Sequence, residues 1–181
     1  MGSGFSRTAV CTLPCMYPEH LKTFDYVGLH QYFLTFCTHE RHRLFEKADA
    51  VSLVRTQIER AATALQFAVI AYCFMPDHVH LLVEGQADES DCREFISRAK
   101  QYSGFHYQAE FGHRLWQRYG YEHVLRSDEA AVSVARYILE NPVRARIVER
   151  IDGYEFSGSG VYTVAQLLEA VQMRSGWYLS A

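Results

Sequence analysis

Hydrophobic residues fall into runs with two different periods, and those periods predict an order of elements. Residues 30–38 (His-Gln-Tyr-Phe-Leu-Thr-Phe-Cys-Thr) are rich in β-branched and aromatic side chains and alternate, which predicts a strand. Over 48–65, Val51, Val54, Ile58, Ala61, Ala62 and Leu65 recur at spacings of three and four, the period of a helix that Asp49 helps to start. Residues 67–74 form an apolar run of buried-strand type, broken by Met75-Pro76-Asp77. A second strand, 78–84, follows closely enough to predict a hairpin. Another helical pattern spans 89–108, beginning near Ser90 and carrying Phe95, Ile96, Ala99, Tyr102 and Phe105. Residues 112–126 are mixed, with a short strand predicted in the last piece. Ser127-Asp128 reads as the cap of a helix from about 129 to 141, which Pro142 is expected to stop.

The order β-α-β-β-α-β-α begins as a split βαβ arrangement. It predicts an α+β, ferredoxin-like domain: an antiparallel sheet with its helices on one face. Three parts follow: an irregular N-terminal arm over 1–28 containing Pro14 and Pro18, the domain over 29–150, and an extension over 151–181 with a short helix near 163–174.

Composition changes this picture little. The length of 181 residues suits one domain with a modest addition. Net charge is −3, a mild argument against nucleic-acid binding, whereas 12 Tyr, 11 Phe and 2 Trp offer surfaces for stacked bases. The five cysteines contain no CxxC pair; Cys37 and Cys73 sit in apolar runs as core residues, and Cys11 and Cys15 lack a matching second pair for a metal site. That usage points to a reducing compartment. No apolar run approaches the roughly 20 residues of a membrane helix. A cytoplasmic protein without membrane contact is expected.

Candidate chemistry gathers at two places. In a strand, residues i and i+2 share a face, so His78 and His80 project together and Val79 turns away. Two imidazoles so placed make half a site for a divalent cation; the plainer alternative is a half-buried pair with no ligand. On a helix, i and i+4 share a face, which aligns Tyr137 with Asn141; the plainer alternative is a packed tyrosine and an asparagine capping before Pro142. Together they supply three metal ligands and a nucleophile, a set suited to phosphodiester cleavage. A phenol with a pKa of about 10 needs activation, and Asp77 and Glu140 are general-base candidates by proximity in sequence alone.

The run Met75-Pro76-Asp77-His78-Val79-His80-Leu81-Leu82-Val83 resembles the HUH motif of the small single-tyrosine transposases, and in particular the REP-associated branch. Tyr32–Thr38, Trp116–Arg118 with Glu122–Arg126, and Arg136–Val143 extend the resemblance in the same order. It covers residues 24–150. The resemblance implies His78, His80 and Asn141 as ligands of Mg2+ or Mn2+, and Tyr137 as nucleophile. It implies a metal-dependent endonuclease and strand transferase for DNA transposition or repeat processing. Such an enzyme works on single-stranded DNA near a hairpin, through a 5′-phosphotyrosine link that leaves a free 3′-hydroxyl. Insertion-sequence relatives often carry Gln where this chain has Asn141. They also form dimers, whereas the REP-associated branch includes monomers, so either a monomer or a homodimer fits.

DNA contact needs positive charge. Lys100, Arg114, Arg118, Arg126 and Arg144 lie in stretches of local positive excess. Trp116, with Tyr119 and Tyr121, offers stacking beside Arg114 and Arg118, and His123 is a candidate phosphate contact. Tyr119 and Tyr121 are weaker nucleophile candidates than Tyr137, lacking an amide one turn away. A histidine-triad hydrolase is disfavoured because Leu82 stands where a third His is needed. A (β/α)8 barrel hydrolase needs a longer chain. The main alternative is a hairpin-binding module that has lost cleavage.

Overall fold

The computed structural model describes residues 24–125 and 128–173. Its elements are β1 (Gln31–Thr38), α1 (Ala48–Ala64), β2 (Phe67–Met75), β3 (His78–Gly85), α2 (Cys92–Phe111), β4 (Trp116–Leu125), α3 (Asp128–Arg144), β5 (Ser157–Gly158) and α4 (Val164–Met173). Short 3-10 turns lie at His39–Arg41 and Ile151–Gly153. One antiparallel sheet runs β4-β1-β3-β2-β5. The expected hairpin is present: Met75 pairs with His78 across the Pro76-Asp77 turn. β3 thus lies at the centre, with Thr35 of β1 and Cys73 of β2 on either side of His80.

The β-α-β-β-α-β core carries α1 and α2 on one face, as expected for a ferredoxin-like domain. There Tyr32, Leu34, Phe36, Phe74, Val79, Leu81 and Val83 meet Val54, Ile58, Phe95 and Ala99. The expectation that all helices share this face needs correction. α3 and α4 cover the opposite face, where Phe33, Cys73, Met75 and Leu82 meet Ala135, Ile138, Leu139, Leu167 and Val171. β1, β2 and β3 are almost wholly buried on both sides, so both sides must be kept from water. The central strands read as near-continuous apolar runs for this reason, and α3 is needed to complete the second layer.

Other differences are local. α2 starts one residue after its cap, Asp91, whose carboxylate accepts from the N–H groups of Arg93 and Glu94. It runs on to Phe111 and ends at Gly112, whose φ of 75° is the left-handed cap that glycine supplies. β4 is ten residues long where a short strand was expected. α3 does not stop at Pro142 but continues to Arg144. The missing proline N–H costs one helical bond, but Ala145 still donates to Asn141 and Ile147 to Pro142. Ile138, Leu139, Asn141 and Pro142 are all buried, and packing outweighs the local breaker. Ser127, half of the predicted cap, lies outside the described residues, as do Cys11, Cys15 and the arm before residue 24.

The described segments flanking the core are tied in. Tyr26 is buried, stacks on Tyr32 at 6.1 Å and lies under the Arg93 guanidinium. Beyond residue 150, β5 pairs with Tyr72 and Cys73, and Tyr154 Oη donates to the Phe74 carbonyl at 2.6 Å. Phe95 is fully buried and its ring stacks on Phe67 at 5.0 Å. Phe95→Ala is therefore expected to lower unfolding stability by about 3–5 kcal/mol, measured by urea denaturation.

Candidate functional site

β3 opens directly after the Pro76-Asp77 turn, and its first and third residues point to the α3 face. His80 is 0 % exposed and His78 is 5 % exposed. Their Nε2 atoms stand 3.0 Å apart. Each ring's other nitrogen is engaged: His78 Nδ1 lies 2.7 Å from Asp77 Oδ1, and His80 Nδ1 lies 2.8 Å from Thr35 Oγ1. Asp77 Oδ2 is in turn 2.8 Å from Arg41 Nε. A single line of polar groups runs from Arg41 through Asp77, His78 and His80 to Thr35. It satisfies imidazoles whose burial would otherwise be costly.

Electrostatics follow from this line. Burial, then the neighbouring His78 and Arg41, hold His80 well below the ordinary imidazole value, so it is neutral at pH 7 and keeps a lone pair. Burial alone would raise the Asp77 carboxyl, but the hydrogen bond and charge of His78, with Arg41, outweigh it and hold it below its ordinary value. The ionised carboxylate accepts from the His78 Nδ1–H and turns Nε2 of that ring toward His80.

α3 brings the tyrosine to the pair. The half-buried Tyr137 ring sits 5.9 Å from the His80 ring, and Phe33 lies 5.8 Å from Tyr137 and 5.5 Å from His80. One turn on, Asn141 is 4 % exposed, and its Nδ2 donates to the Tyr137 carbonyl at 2.7 Å. Its nitrogen, not Oδ1, is thereby committed to the helix. The Arg144 guanidinium lies 5.2 Å from the Tyr137 ring and 3.0 Å from Glu140 Oε2, while Arg136 holds Glu140 Oε1 at 2.7 Å. Burial would raise Glu140, but both arginines outweigh it and hold it below its ordinary value. Glu140 and Asp77 are thus weak bases bound to arginine, and neither suits the role of proton acceptor from Tyr137.

A cation between His78 and His80 fits the geometry. Two ligands about 2.1 Å from an octahedral ion, at right angles, stand about 3 Å apart, which is the Nε2 separation found here. Among the described residues no cluster of three or more His, Cys, Asp or Glu is poised for a metal. A third ligand drawn from the described residues would have to be of another type, such as an amide.

The other predicted contacts divide between places. Trp116 requires correction: it is 5 % exposed, its Nε1 donates to Ser103 Oγ at 2.8 Å, and it packs on Phe36 and Phe45. Burial removes both ring faces from any base. Lys100 reaches from α2 to donate to the Gln117 and Arg118 carbonyls at 2.7 and 3.1 Å. With Arg118, Arg93 and Tyr119 it lines a cleft of about 440 Å³ between α2 and β4. Arg114 is exposed, with Nε donating to the Trp116 carbonyl. Arg126 lies outside the described residues. Tyr121, 37 % exposed, is 5.8 Å from Phe33, and the exposed His123 pairs with Phe33 across the strands. Sequence reasoning missed Thr35 and Arg41, and took Asp77 for a base. Only Asp77 carried a signal, its place next to His78.

No helix among the described residues is long and apolar enough to cross a membrane. The sequence pattern of the family described as "Transposase IS200 like" matches residues 26–141, well over half of the chain. A Haemophilus influenzae (strain Rd) protein named as a REP-associated tyrosine transposase is 25% identical over 145 residues, covering 70% of this chain and 77% of that one. A solved structure of a REP-associated tyrosine transposase bound to a REP hairpin superposes with a TM-score of 0.63 at 21% identity, over 73% of this chain and 78% of that one. That likeness concerns the fold.

Two outcomes follow from the geometry. A Cβ at Gly120 would stand 2.7 Å from the Thr35 carbonyl. Gly120→Ala is therefore expected to part β1 from β4, cost about 1–3 kcal/mol in urea unfolding, and shift the His80 ring signals in NMR. Glu140 releases its proton more readily folded than unfolded. The stability it adds is full above the ordinary Glu pKa of about 4.3 and is lost as pH falls through the lower folded value. Glu140→Gln is expected to flatten that acid limb, by about 1 kcal/mol or less, in melting curves taken between about pH 3 and 6.

Proposed function

Because the chain belongs to the IS200-like transposase family, we propose that it cuts and rejoins single-stranded DNA beside a hairpin, with Tyr137 as nucleophile. The observation that carries this reading is the Tyr137 ring beside a neutral His80 that faces His78 across 3.0 Å. The resemblance to a protein solved with a REP hairpin supports a hairpin as the recognition element.

In this reading His78 and His80, with the Asn141 amide oxygen, hold Mg2+ or Mn2+. When bound, the ion polarises the scissile phosphate and offsets its developing charge. The chain's own residues do the rest. Tyr137 Oη attacks phosphorus, the P–O3′ bond breaks, and a 5′-phosphotyrosine forms. The phenol gives up one proton and the departing 3′ oxygen gains one, so the exchange of one phosphodiester for another is nearly balanced. Arg144, close to the Tyr137 ring, favours the phenolate that develops. Thr35 and Asp77 hold the rings that accept the ion. Rejoining reverses the attack with a 3′-hydroxyl as nucleophile. Arg114, Arg118 and Arg126 supply positive charge toward the DNA backbone, and the exposed Tyr121 offers a face for an unpaired base.

The test is incubation with labelled single-stranded DNA carrying a hairpin and flanking strand, in Mn2+, followed by a denaturing gel. A covalent adduct is expected with the wild type, and none with Tyr137→Phe. His78→Ala is expected to reduce the adduct by at least about 100-fold. An adduct that persists in Tyr137→Phe would overturn the nucleophile. Hairpin binding without an adduct across a broad set of hairpins would favour a binding module without cleavage.

A further inference from the structure

The turn that follows β1 is strained. Glu40 and Arg41 are consecutive non-glycine residues with φ of 53° and 58°, a left-handed conformation that costs L residues roughly 1–2 kcal/mol each. Such strain persists only where the surroundings enforce it. Here the turn is stitched to the Pro76-Asp77 turn that introduces His78. The Thr38 N–H donates to the Asp77 carbonyl at 3.0 Å, Thr38 Oγ1 lies 2.9 Å from the same oxygen, and the Phe45 N–H donates to the Pro76 carbonyl at 3.0 Å. His39 N–H adds a bond to the Leu115 carbonyl at 2.7 Å.

The result of this geometry is the placement of one guanidinium. Arg41 Nε meets Asp77 Oδ2 at 2.8 Å and Nη1 meets Cys37 Sγ at 2.9 Å, while Asp77 Oδ1 takes His78 Nδ1 at 2.7 Å. Cys37 is the residue opposite His78 on β1. Arg41 therefore braces His78 both through the adjoining carboxylate and through its cross-strand neighbour.

We infer that Arg41 is a positioning residue that sets the orientation and tautomer of His78 through Asp77. Its purpose, a ring with Nε2 ready for a cation, rests on the function proposed above. The partly exposed Arg41–Asp77 pair adds little to global stability. What it adds is order: without it the Asp77 carboxylate turns to water, and the His78 ring loses its single arrangement.

The experiment uses the full chain without metal, then with Mn2+ alone. Long-range 1H–15N NMR of the histidine rings reads the tautomer. The wild type is expected to show His78 with its proton on Nδ1, and Arg41→Ala to show averaged ring-nitrogen shifts. Its urea midpoint is expected to stay close to wild type. Mn2+ affinity by calorimetry is expected to fall about 10- to 100-fold, with Arg41→Lys recovering part of both effects. Glu40→Gly relaxes the strain but keeps the guanidinium, and is expected to keep the wild-type His78 signals. Unchanged His78 shifts in Arg41→Ala would overturn the inference, and so would an equal disturbance in Glu40→Gly. If the wild type binds no Mn2+ yet Arg41→Ala frees the ring, the metal reading fails and the positioning role stands.

Discussion

Two imidazoles share one proton-sized gap in the interior of this protein, and most of the fold is arranged around that fact. A buried imidazole needs a partner for each nitrogen. Three segments meet that need, β1 through Thr35, the turn between β2 and β3 through Asp77, and β3 itself, while Arg41 from the turn after β1 holds Asp77 in turn. None of these groups is close to all the others in sequence. The antiparallel register is what assembles them, since it sets Thr35 against His80 and Cys37 against His78. A slip of one residue would turn both rings into the apolar layer under α1 and α2.

The two faces of the sheet therefore have different duties. The face under α1 and α2 is continuous hydrophobic packing, dense with aromatic contacts such as Phe67 on Phe95 and Phe45 on Phe74. The face under α3 combines a smaller apolar cluster with the histidine line. α3 is at once the lid of that cluster, through Ile138 and Leu139, and the carrier of Tyr137 and Asn141. Its amphipathic pattern is thus a structural requirement and a means of delivery. The segment beyond residue 150 supports it from outside, with Leu167 and Val171 of α4 in the same cluster.

Much of this was legible in the chain. Periodicity gave α1, the β2–β3 hairpin and the start of the ferredoxin-like order, because their signals are local. The i, i+2 rule put His78 and His80 on one face, and the i, i+4 rule aligned Tyr137 with Asn141. What escaped was set by contacts distant in sequence. Pro142 breaks a helix locally, but the burial of α3 carries the helix past it. Trp116 looked like a stacking surface because composition cannot tell an exposed indole from one packed on Phe36 and Phe45. Thr35 is one polar residue in an apolar strand until the register puts it on His80. Arg41 is one of several charges in a turn until the backbone takes up its left-handed path.

Lys100, read from the sequence as part of a positively charged stretch for DNA, also meets a need within the fold. Among the described residues β4 is the long outer strand of the sheet, and the other outer strand, β5, has only two residues. An unpaired strand edge is a template for any other chain that can extend alongside it. The Lys100 ammonium fills the Gln117 and Arg118 carbonyls near the start of β4. A foreign strand arriving there would have to evict charge-assisted bonds before gaining any of its own. A single side chain from the helix beneath thus occupies two carbonyls of β4.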